Sequence, residues 1–187
     1  MICLVYLFLA EGFEEIEAIA VIDILRRANI SLKTVSVHPS KNVTAAHGVT
    51  VVADILLENV DLKIADMLIL PGGMPGTRNL GKSDKLIELL VQAQEQDLYI
   101  AAICAAPTVL SKAGVLKGKK AICYPGFEAE LEGAVIHDDL VVRDGKIITS
   151  KGPGTAMVFA YALVDILKGN LESDALRKAM IFDWVKY

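Results

Sequence analysis

The first half of the chain alternates short apolar runs with longer segments of helical periodicity. Apolar runs of about four to eight residues bounded by turn residues are typical of buried strands, whereas apolar residues recurring every three or four positions are typical of amphipathic helices. The pattern predicts strands at 2–9, 31–37, 49–54, 66–70, 98–103 and 119–123, and helices near 13–28, 83–95 and 106–115. Such alternation predicts an α/β fold, in which a mostly parallel sheet is covered by helices on both faces.

The second half adds a hairpin and two helices. Asp144-Gly145 lies between two strand-like runs in "LVVRDGKIITS", and this dipeptide favours the tight turn of a β-hairpin. After the loop "SKGPGT", the run "AMVFAYALVDILKGN" predicts a helix that ends at Gly169, and "SDALRKAM" predicts a last helix. The sequence contains no repeat, low-complexity segment or convincing boundary, so residues 1–187 are expected to form a single domain.

Net charge, the N-terminal segment and the cysteine spacing each exclude a class of protein. A net charge of −4 and a pI near 5.4 argue against a general nucleic-acid or anionic-membrane surface. The opening "MICLVYLFLA" has no basic residues before it and is followed by acidic ones, so it indicates a buried strand and not a signal peptide. Three cysteines without C-x-x-C spacing suit a reducing compartment and indicate neither a disulfide framework nor a zinc site. We expect a cytoplasmic protein without a metal ion.

The segment "YIAAICAAPTVL", residues 99–110, places Cys104 between a predicted strand and a predicted helix. Sharp strand-to-helix turns hold a nucleophile in a strained pose and need small neighbours, here Ala102 and Ala106. A helix N-terminus should also lower the pKa of the thiol. Free cysteine usually behaves as a small buried hydrophobe. That interpretation is kept for Cys3 and Cys123, whereas Cys104 is the candidate reactive thiol.

Glu17 is the candidate partner of that thiol. Glu14 and Glu15 are expected to complement the positive end of the first helix. Glu17 instead shares a helical face with an apolar stripe formed by Ala20, Val21, Ile24 and Ala28. Burial would raise the pKa of its carboxyl, so that it could donate a hydrogen bond to a thiolate and shuttle one proton.

Two glycine-containing segments follow the strand at 66–70. In "LPGGMPG", Gly72 and Gly73 allow close backbone approach, and their N–H groups could stabilise an oxyanion formed at the thiol. Residues 76–83, "GTRNLGKS", match the phosphate-loop pattern G-x-x-x-x-G-K-[ST]. Because "PGGMP" separates this match from the strand, we interpret it as a chance match, with Ser83 as the N-cap of a helix.

In the predicted α/β fold, a ligand would bind beyond the carboxyl ends of the parallel strands. The pattern does not place any of the three histidines, His38, His47 and His137, at this edge of the sheet. A cysteine hydrolase needs an imidazole within reach of its thiol. The sequence therefore gives little support to a protease or an amidase.

Taken together, "LAEGFEEIEA", "IDILRRA", "LPGG", "AAICAAPTVL" and "SKGPGTA" resemble the DJ-1/ThiJ/PfpI superfamily, and within it the DJ-1 and bacterial YajL-like branch. The resemblance runs nearly end to end. It implies a flavodoxin-like three-layer sandwich of the class I glutamine amidotransferase-like type, and a homodimer. It also implies that Cys104 is the reactive, oxidation-prone cysteine, that Glu17 hydrogen-bonds it, and that Gly72 and Gly73 line the pocket.

Two positions depart from other branches of this superfamily. Ala105 stands where the PfpI peptidase-like branch has a histidine, which argues against a Cys-His protease. Tyr124, in "CYPG", stands where some DJ-1 proteins have a histidine before proline, so it would shape the pocket or donate its hydroxyl. His47 is a further candidate, which would have to reach the pocket across a dimer interface.

The resemblance implies a cysteine-dependent protein of oxidative and carbonyl-stress defence that needs no cofactor. We expect a glyoxalase or deglycase acting on methylglyoxal-like 2-oxoaldehydes and their adducts, including glycated side chains, without nucleic-acid or membrane partners. The alternative is a redox-sensing chaperone that works through oxidation of Cys104 without significant catalysis. A remote alternative is nucleotide binding at residues 76–83.

Overall fold

The structure is a computed structural model that describes residues 3–185 of the chain. Its strands are β1 (Leu4–Leu9), β2 (Ser31–Ser36), β3 (Asn42–Thr44), β4 (Thr50–Val52), β5 (Ile55–Leu56), β6 (Met67–Leu70), β7 (Tyr99–Ile103), β8 (Lys120–Ala121), β9 (Val135–Ile136), β10 (Val141–Asp144) and β11 (Ile147–Ser150). Its helices are α1 (Glu15–Arg27), α2 (Gly76–Gly81), α3 (Asp84–Glu95), α4 (Pro107–Lys112), α5 (Ala156–Lys168) and α6 (Asn170–Ala179). The prediction for the first strand starts at residue 2, which lies outside the described residues.

Most of the longer strands form one sheet, in the order β10-β11-β7-β6-β1-β2-β5. Strand β10 is antiparallel to β11, as the hairpin signal at Asp144-Gly145 predicts, and the other neighbours in the sheet are parallel. Parallel strands need crossover connections, which the helices supply. The mostly parallel sheet predicted from the alternating pattern is confirmed.

The two faces of the sheet are covered by different helices. Successive side chains of β1 point to opposite faces, so Val5, Leu7 and Leu9 pack in one core with α1 and α5, while Leu4, Tyr6 and Phe8 pack in a second core with α3 and α4. Both faces of β1 are therefore buried, which explains its uninterrupted apolar run. The result is the flavodoxin-like three-layer sandwich that the family resemblance implied.

Two predicted strands lie outside the main sheet. In the segment 49–54, β4 pairs only with β3, in an antiparallel ribbon whose Val52 is 70% exposed. In the segment 119–123, β8 is only two residues long and pairs with β9. The short β5, which the pattern did not identify, takes the edge of the sheet beside β2. An apolar run indicates extended backbone, but it does not specify the strand that will be its partner.

The sequence signals at the ends of helices agree with the structure better than the predicted strand pairing does. The Ser83 hydroxyl accepts the Leu86 N–H at 3.3 Å and caps α3 as predicted. Pro107 is the first residue of α4, and Gly169, with φ of 90°, follows the end of α5. Helix α4 ends at Lys112, before the predicted residue 115, in a turn that places Gly114 at φ of 76°. No helix within residues 3–185 combines the length and hydropathy needed to cross a bilayer.

Candidate active site

The carboxyl ends of three neighbouring strands meet at one edge of the sheet. Strands β1, β6 and β7 are adjacent, and they are followed by "AEG", "PGG" and "CAA" respectively. The Glu14 N–H donates to the Gly72 carbonyl at 2.9 Å, and the Gly76 N–H donates to the Gly12 carbonyl at 3.0 Å, so the first two loops are joined. Ligands of open α/β sheets bind at such an edge.

Cys104 occupies the turn between β7 and α4 in a strained conformation. Its φ of 65° lies in the left-handed region, which costs a residue with a Cβ roughly 1–2 kcal/mol. Two hydrogen bonds hold this backbone: the Cys104 N–H donates to the Ser150 carbonyl at 2.9 Å, and the Cys104 carbonyl accepts the Tyr124 N–H at 2.8 Å. The residue is only 8% exposed, so little of it is in contact with solvent.

Glu17 lies on the core-facing side of α1 and is 0% exposed. Its Oε2 accepts the Gly72 N–H at 2.7 Å, whereas Oε1 has no hydrogen-bond partner among the described residues. Burial raises the pKa of the carboxyl to about 7, although the neighbouring Cys104 thiol and the hydrogen bond from Gly72 partly oppose the shift. The carboxyl can therefore exchange a proton near neutral pH.

The thiol of Cys104 lies beside this carboxyl, close enough for the charge of each group to affect the pKa of the other. Burial and the neighbouring Glu17 together raise the pKa of the thiol to about 12, while the backbone N–H groups of Gly73 and Ala105 act in the opposite direction. The raised pKa of the Cys104 thiol is opposite to the lowered pKa that its position at a helix N-terminus predicts. The effects of burial and of the neighbouring carboxylate are larger than the effect of the helix. The two groups titrate as a pair that loses one proton near pH 7 and resists losing the second.

The two loop glycines have different positions relative to the thiol. The N–H of Gly72 is occupied by Glu17, whereas the N–H groups of Gly73 and Ala105 lie near enough to the sulfur to lower the pKa of the thiol. An added Cβ at Gly72 would lie 2.6 Å from Cys104 Cβ and 2.9 Å from Glu17 Oε2, so only glycine fits between these side chains. The structure thus makes Gly73 and Ala105, and not Gly72, the available N–H donors at the sulfur.

Tyr124 lies beside the pair and is 46% exposed. An added Cβ at Gly152 would lie 3.0 Å from Tyr124 Cδ2 and 4.0 Å from Glu17 Oε1, so the ring, the glycine and the free carboxyl oxygen are neighbours. The Tyr124 ring also meets Phe127 edge to face, at a centroid distance of 6.4 Å. These aromatic rings form the wall of the site next to the sheet edge.

Sequence reasoning did not assign a role to Ser150 or Gly152. Ser150 supports Cys104 through its backbone carbonyl, which leaves no side-chain pattern to detect. Gly152 lies in the loop "SKGPGT", whose glycines were the available signal.

The three histidines form their hydrogen bonds away from Cys104. The His38 Nε2 accepts the Glu11 N–H at 3.3 Å, and the His137 N–H donates to the Ala121 carbonyl. The His47 Nδ1 lies 2.9 Å from Glu15 Oε2, and the side-chain hydrogen bond to Glu15 raises the pKa of His47. The structure does not bring an imidazole to the thiol within residues 3–185.

Glu14, Glu15 and His47 form a small surface cluster at the start of α1. Their potential ligand atoms lie within 4.8 Å of one another, so these three residues could together contact a divalent cation. Glu14 is also the N-cap of α1, as its predicted complement to the helix end implies, and its Oε1 accepts the Ile16 N–H at 3.5 Å.

Residues 76–83 do not form a phosphate loop. Residues 76–81 are helix α2, and their N–H groups bond within the chain: Thr77 donates to the Gly73 carbonyl at 2.8 Å and Asn79 to the Pro75 carbonyl at 3.0 Å. A phosphate loop needs free N–H groups that point at the phosphates. This geometry supports the interpretation of residues 76–83 as a chance match to the phosphate-loop pattern.

The other two cysteines, Cys3 and Cys123, pack against the hydrophobic cores. Cys123 is buried, and burial raises the pKa of its thiol to about 11. Cys3 is half-buried against the core, and burial together with Asp66 raises the pKa of its thiol to about 11. Both packing positions agree with the interpretation of these residues as small hydrophobes.

Comparison with known proteins connects this geometry to a family. Residues 4–166 match the DJ-1/PfpI family. The glutathione-independent glyoxalase DJR-1.2 of Caenorhabditis elegans is 36% identical over 171 residues, which are 91% of this chain and 91% of that protein. The DJ-1 homolog B of Arabidopsis thaliana is 37% identical over 174 residues, which are 92% of this chain but only 40% of that protein.

The crystal structure of Drosophila melanogaster DJ-1beta superimposes with a TM-score of 0.94 at 36% identity and covers 100% of both chains. The similarity thus includes the sheet, both helical layers and the loops that hold Cys104 and Glu17. The chain belongs to the DJ-1/PfpI family.

Proposed function

We propose that this protein is a glutathione-independent glyoxalase of carbonyl-stress defence, which converts methylglyoxal-like 2-oxoaldehydes to 2-hydroxy acids. The observation that carries the proposal is the buried pair of Cys104 and Glu17, which gives up one proton near pH 7 while the N–H groups of Gly73 and Ala105 lie near the sulfur. A nucleophile and a proton-transfer group in contact are the two parts that this reaction needs.

The first step is addition of the Cys104 sulfur to the aldehyde carbon. The carbonyl π electrons move to oxygen, and the resulting hemithioacetal oxygen takes the proton that the pair has held. The N–H groups of Gly73 and Ala105 lie at the sulfur, where they can donate to an oxygen on the attacked carbon. The strained turn at Cys104 holds the nucleophile in position.

The second step is a proton transfer between the two carbons of the substrate. Glu17 removes the hydrogen of the attacked carbon as a proton and returns a proton to the neighbouring carbonyl carbon, through an enediol, which leaves a thioester at Cys104 and a hydroxyl beside it. Water then attacks the thioester, releases the hydroxy acid and restores the thiol. Methylglyoxal and one water thus give lactic acid, without net oxidation or reduction. The unpartnered Oε1 of Glu17 is the atom available for this transfer.

The low exposure of Cys104 favours small substrates. With Cys104 only 8% exposed, a free aldehyde of a few carbon atoms reaches the sulfur more easily than an adduct on a bulky glycated side chain. The name of the Caenorhabditis elegans relative, a glutathione-independent glyoxalase, supports the same choice. Deglycation of adducts is therefore expected to proceed mainly through the free aldehyde that they release.

The experiment measures lactate formed from methylglyoxal by wild type, Cys104→Ser and Glu17→Gln, without glutathione and with a metal chelator. We expect each substitution to reduce kcat/KM by at least about 100-fold, because each removes a reacting group. Cys3→Ser, which changes a half-buried cysteine before the first residue of β1, at the end of that strand opposite the site, is the matched control and should retain turnover. Full activity of Cys104→Ser would show that the proposal is wrong.

A second candidate function is redox sensing at Cys104, and the N–H groups of Gly73 and Ala105 at the sulfur favour it. Peroxide would convert the thiolate to a sulfenic acid, with release of hydroxide, and a second peroxide would give a sulfinate that these N–H groups and protonated Glu17 can hydrogen-bond. Titration with peroxide, followed by mass spectrometry and a client-binding assay, tests this function. Oxidation of Cys104 that stops aldehyde turnover without a gain in client binding would count against the sensor.

A further inference from the structure

A cleft of about 750 Å³ opens between helices α2 and α4 and the segment 127–132. Met74 and Phe127 are part of its wall, and they connect it to the candidate active site, because Met74 follows Gly73 and Phe127 packs on Tyr124. Cys104 itself is not in the wall of the cleft. The proposed glyoxalase reaction therefore does not use this space.

One wall of the cleft is cationic. Arg78 and Lys82 lie four residues apart on α2 and its C-terminal end, which places them on the same side of the helix. Lys112 comes from α4, and its Nζ donates to the Gly81 carbonyl at 2.6 Å. Among residues 3–185, neither Arg78 nor Lys82 forms an ion pair with a carboxylate. Two cations on one side of a cleft, neither in an ion pair, favour a bound anion on that side.

Thr77 supplies an independent observation on the same wall. It is 3% exposed, and its Oγ1 has no hydrogen-bond partner among the described residues. A buried hydroxyl without a partner is unfavourable, and in a helix the threonine hydroxyl commonly bonds the carbonyl three or four residues before it. Thr77 is one of the residues that line the cleft. A ligand atom there would satisfy a group that the fold leaves unpaired.

The opposite wall carries Glu130 and Glu132. Neither is within ion-pairing distance of a described cation, so the carboxylates and the cations face the same space without neutralising each other. These carboxylates repel a ligand that is anionic along its whole length. They favour a small anionic group that stays near α2.

We propose that this cleft binds a small anion, as a phosphate or a carboxylate group, through Arg78, Lys82 and the hydroxyl of Thr77. The guanidinium of Arg78 and the ammonium of Lys82 provide charge-assisted hydrogen bonds, and the hydroxyl provides a neutral one. The N–H groups of α2 take no part, because they already bond within the chain. Nucleotide hydrolysis is not part of this proposal.

The test measures binding of inorganic phosphate and of acetate to the full-length protein by calorimetric titration and by the change in melting temperature, against sodium chloride at equal ionic strength. We expect saturable binding of at least one of them, with a dissociation constant on the order of 1 mM. Phosphate binding alone would identify a phosphate group as the ligand chemistry, and acetate binding alone would identify a carboxylate. Absence of saturable binding of both anions would overturn the proposal.

Four variants locate the site. Arg78→Gln with Lys82→Gln should weaken binding at least about tenfold, and Thr77→Val about threefold, because each removes donors to the anion. Glu130→Gln with Glu132→Gln should strengthen binding about threefold by removing repulsion. Lys85→Gln, which changes a lysine of α3 outside the cleft, is the control and should bind as wild type does. Equal binding by the Arg78–Lys82 double variant and wild type would contradict the proposal.

Thr77→Val also separates a ligand role from a structural one. Because the hydroxyl has no partner to lose, the substitution should leave the melting temperature unchanged or raise it, while anion binding weakens. A lower melting temperature with unchanged binding would contradict the proposal. Cys104→Ser should keep anion binding even where it abolishes aldehyde turnover, so this proposal and the proposed glyoxalase function can fail separately.

Discussion

The N–H of Gly72 donates a 2.7 Å hydrogen bond to Oε2 of Glu17, so the loop after β6 holds one oxygen of a fully buried carboxyl. The other oxygen, Oε1, has no partner among the described residues and faces Gly152. One oxygen is thus fixed by the backbone and the other is left available for a proton. Because this buried carboxyl is part of both the core and the site, its ionisation should affect the stability of the fold.

The stability of the fold should decrease with pH because of Glu17. Its pKa is about 7 in the fold and 4.5 ordinarily, so below pH 4.5 the carboxyl is protonated in both the folded and unfolded chains, and no stability is lost. As the pH rises from 4.5 through 7, the unfolded chain releases the proton more readily. The free energy of unfolding therefore decreases over this range, and the decrease, about 3 kcal/mol in total, is complete above pH 7.

Glu17→Gln should remove this dependence, and its amide oxygen can still accept the Gly72 N–H. Urea denaturation at pH 5 and pH 8 measures the effect: the free energy of unfolding of the variant, relative to wild type, should rise by about 2–3 kcal/mol between the two pH values. Glu88→Gln, at an exposed glutamate of α3, is the matched control and should follow wild type. The same difference at both pH values would mean that Glu17 is ionised throughout this range.

A second prediction concerns the reactivity of the thiol. The Glu17 charge raises the pKa of Cys104, so Glu17→Gln should lower that pKa and increase the rate of alkylation by iodoacetamide at pH 8 severalfold, by roughly tenfold at most. Mass spectrometry of the separate peptides gives the rate, and Cys3 and Cys123 in the same protein serve as internal references. A slower reaction would instead mean that wild type holds a thiolate beside a protonated Glu17.

Much of the fold could be predicted because its signals are local. The uninterrupted apolar run of β1, the N-cap at Ser83 and the turn at Asp144-Gly145 each depend on a few neighbouring residues. The separate β3–β4 ribbon could not be predicted, because strand pairing depends on long-range contacts that an apolar run does not specify.

In the candidate site too, features that depend on neighbouring residues could be predicted and features that depend on distant residues could not. The turn at Cys104 and the burial of Glu17 follow from spacing within one element each. The direction of the shift in the pKa of Cys104 could not be predicted, because it is determined by burial and by a carboxyl 87 positions away in the chain. Likewise, the role of Gly72 depends on its contact with Glu17, which no local pattern encodes.

The close approach at Gly72 leads to a third prediction. In Gly72→Ala the new methyl group would lie 2.6 Å from Cys104 Cβ and 2.9 Å from the Ile103 carbonyl oxygen, so the loop and the strained turn must separate. We expect a loss of about 1–3 kcal/mol of stability, measured by urea denaturation, together with loss of aldehyde turnover. Gly154→Ala adds a methyl group in open space and should change stability by less than about 0.5 kcal/mol. Wild-type activity in Gly72→Ala would show that the contact of loop and turn is not needed.

The last prediction decides between the two roles considered for Tyr124. Its ring would lie 3.0 Å from a Cβ at Gly152 and packs on Phe127, whereas its hydroxyl forms no hydrogen bond to any described residue. Tyr124→Phe should therefore keep kcat/KM for methylglyoxal within about twofold, and Tyr124→Ala should lower it about tenfold by admitting water beside Glu17. Tyr99→Phe, at the other end of the sheet, controls for loss of a hydroxyl elsewhere. If Tyr124→Phe loses as much activity as Tyr124→Ala, the hydroxyl donates to the substrate and the ring is not the important part.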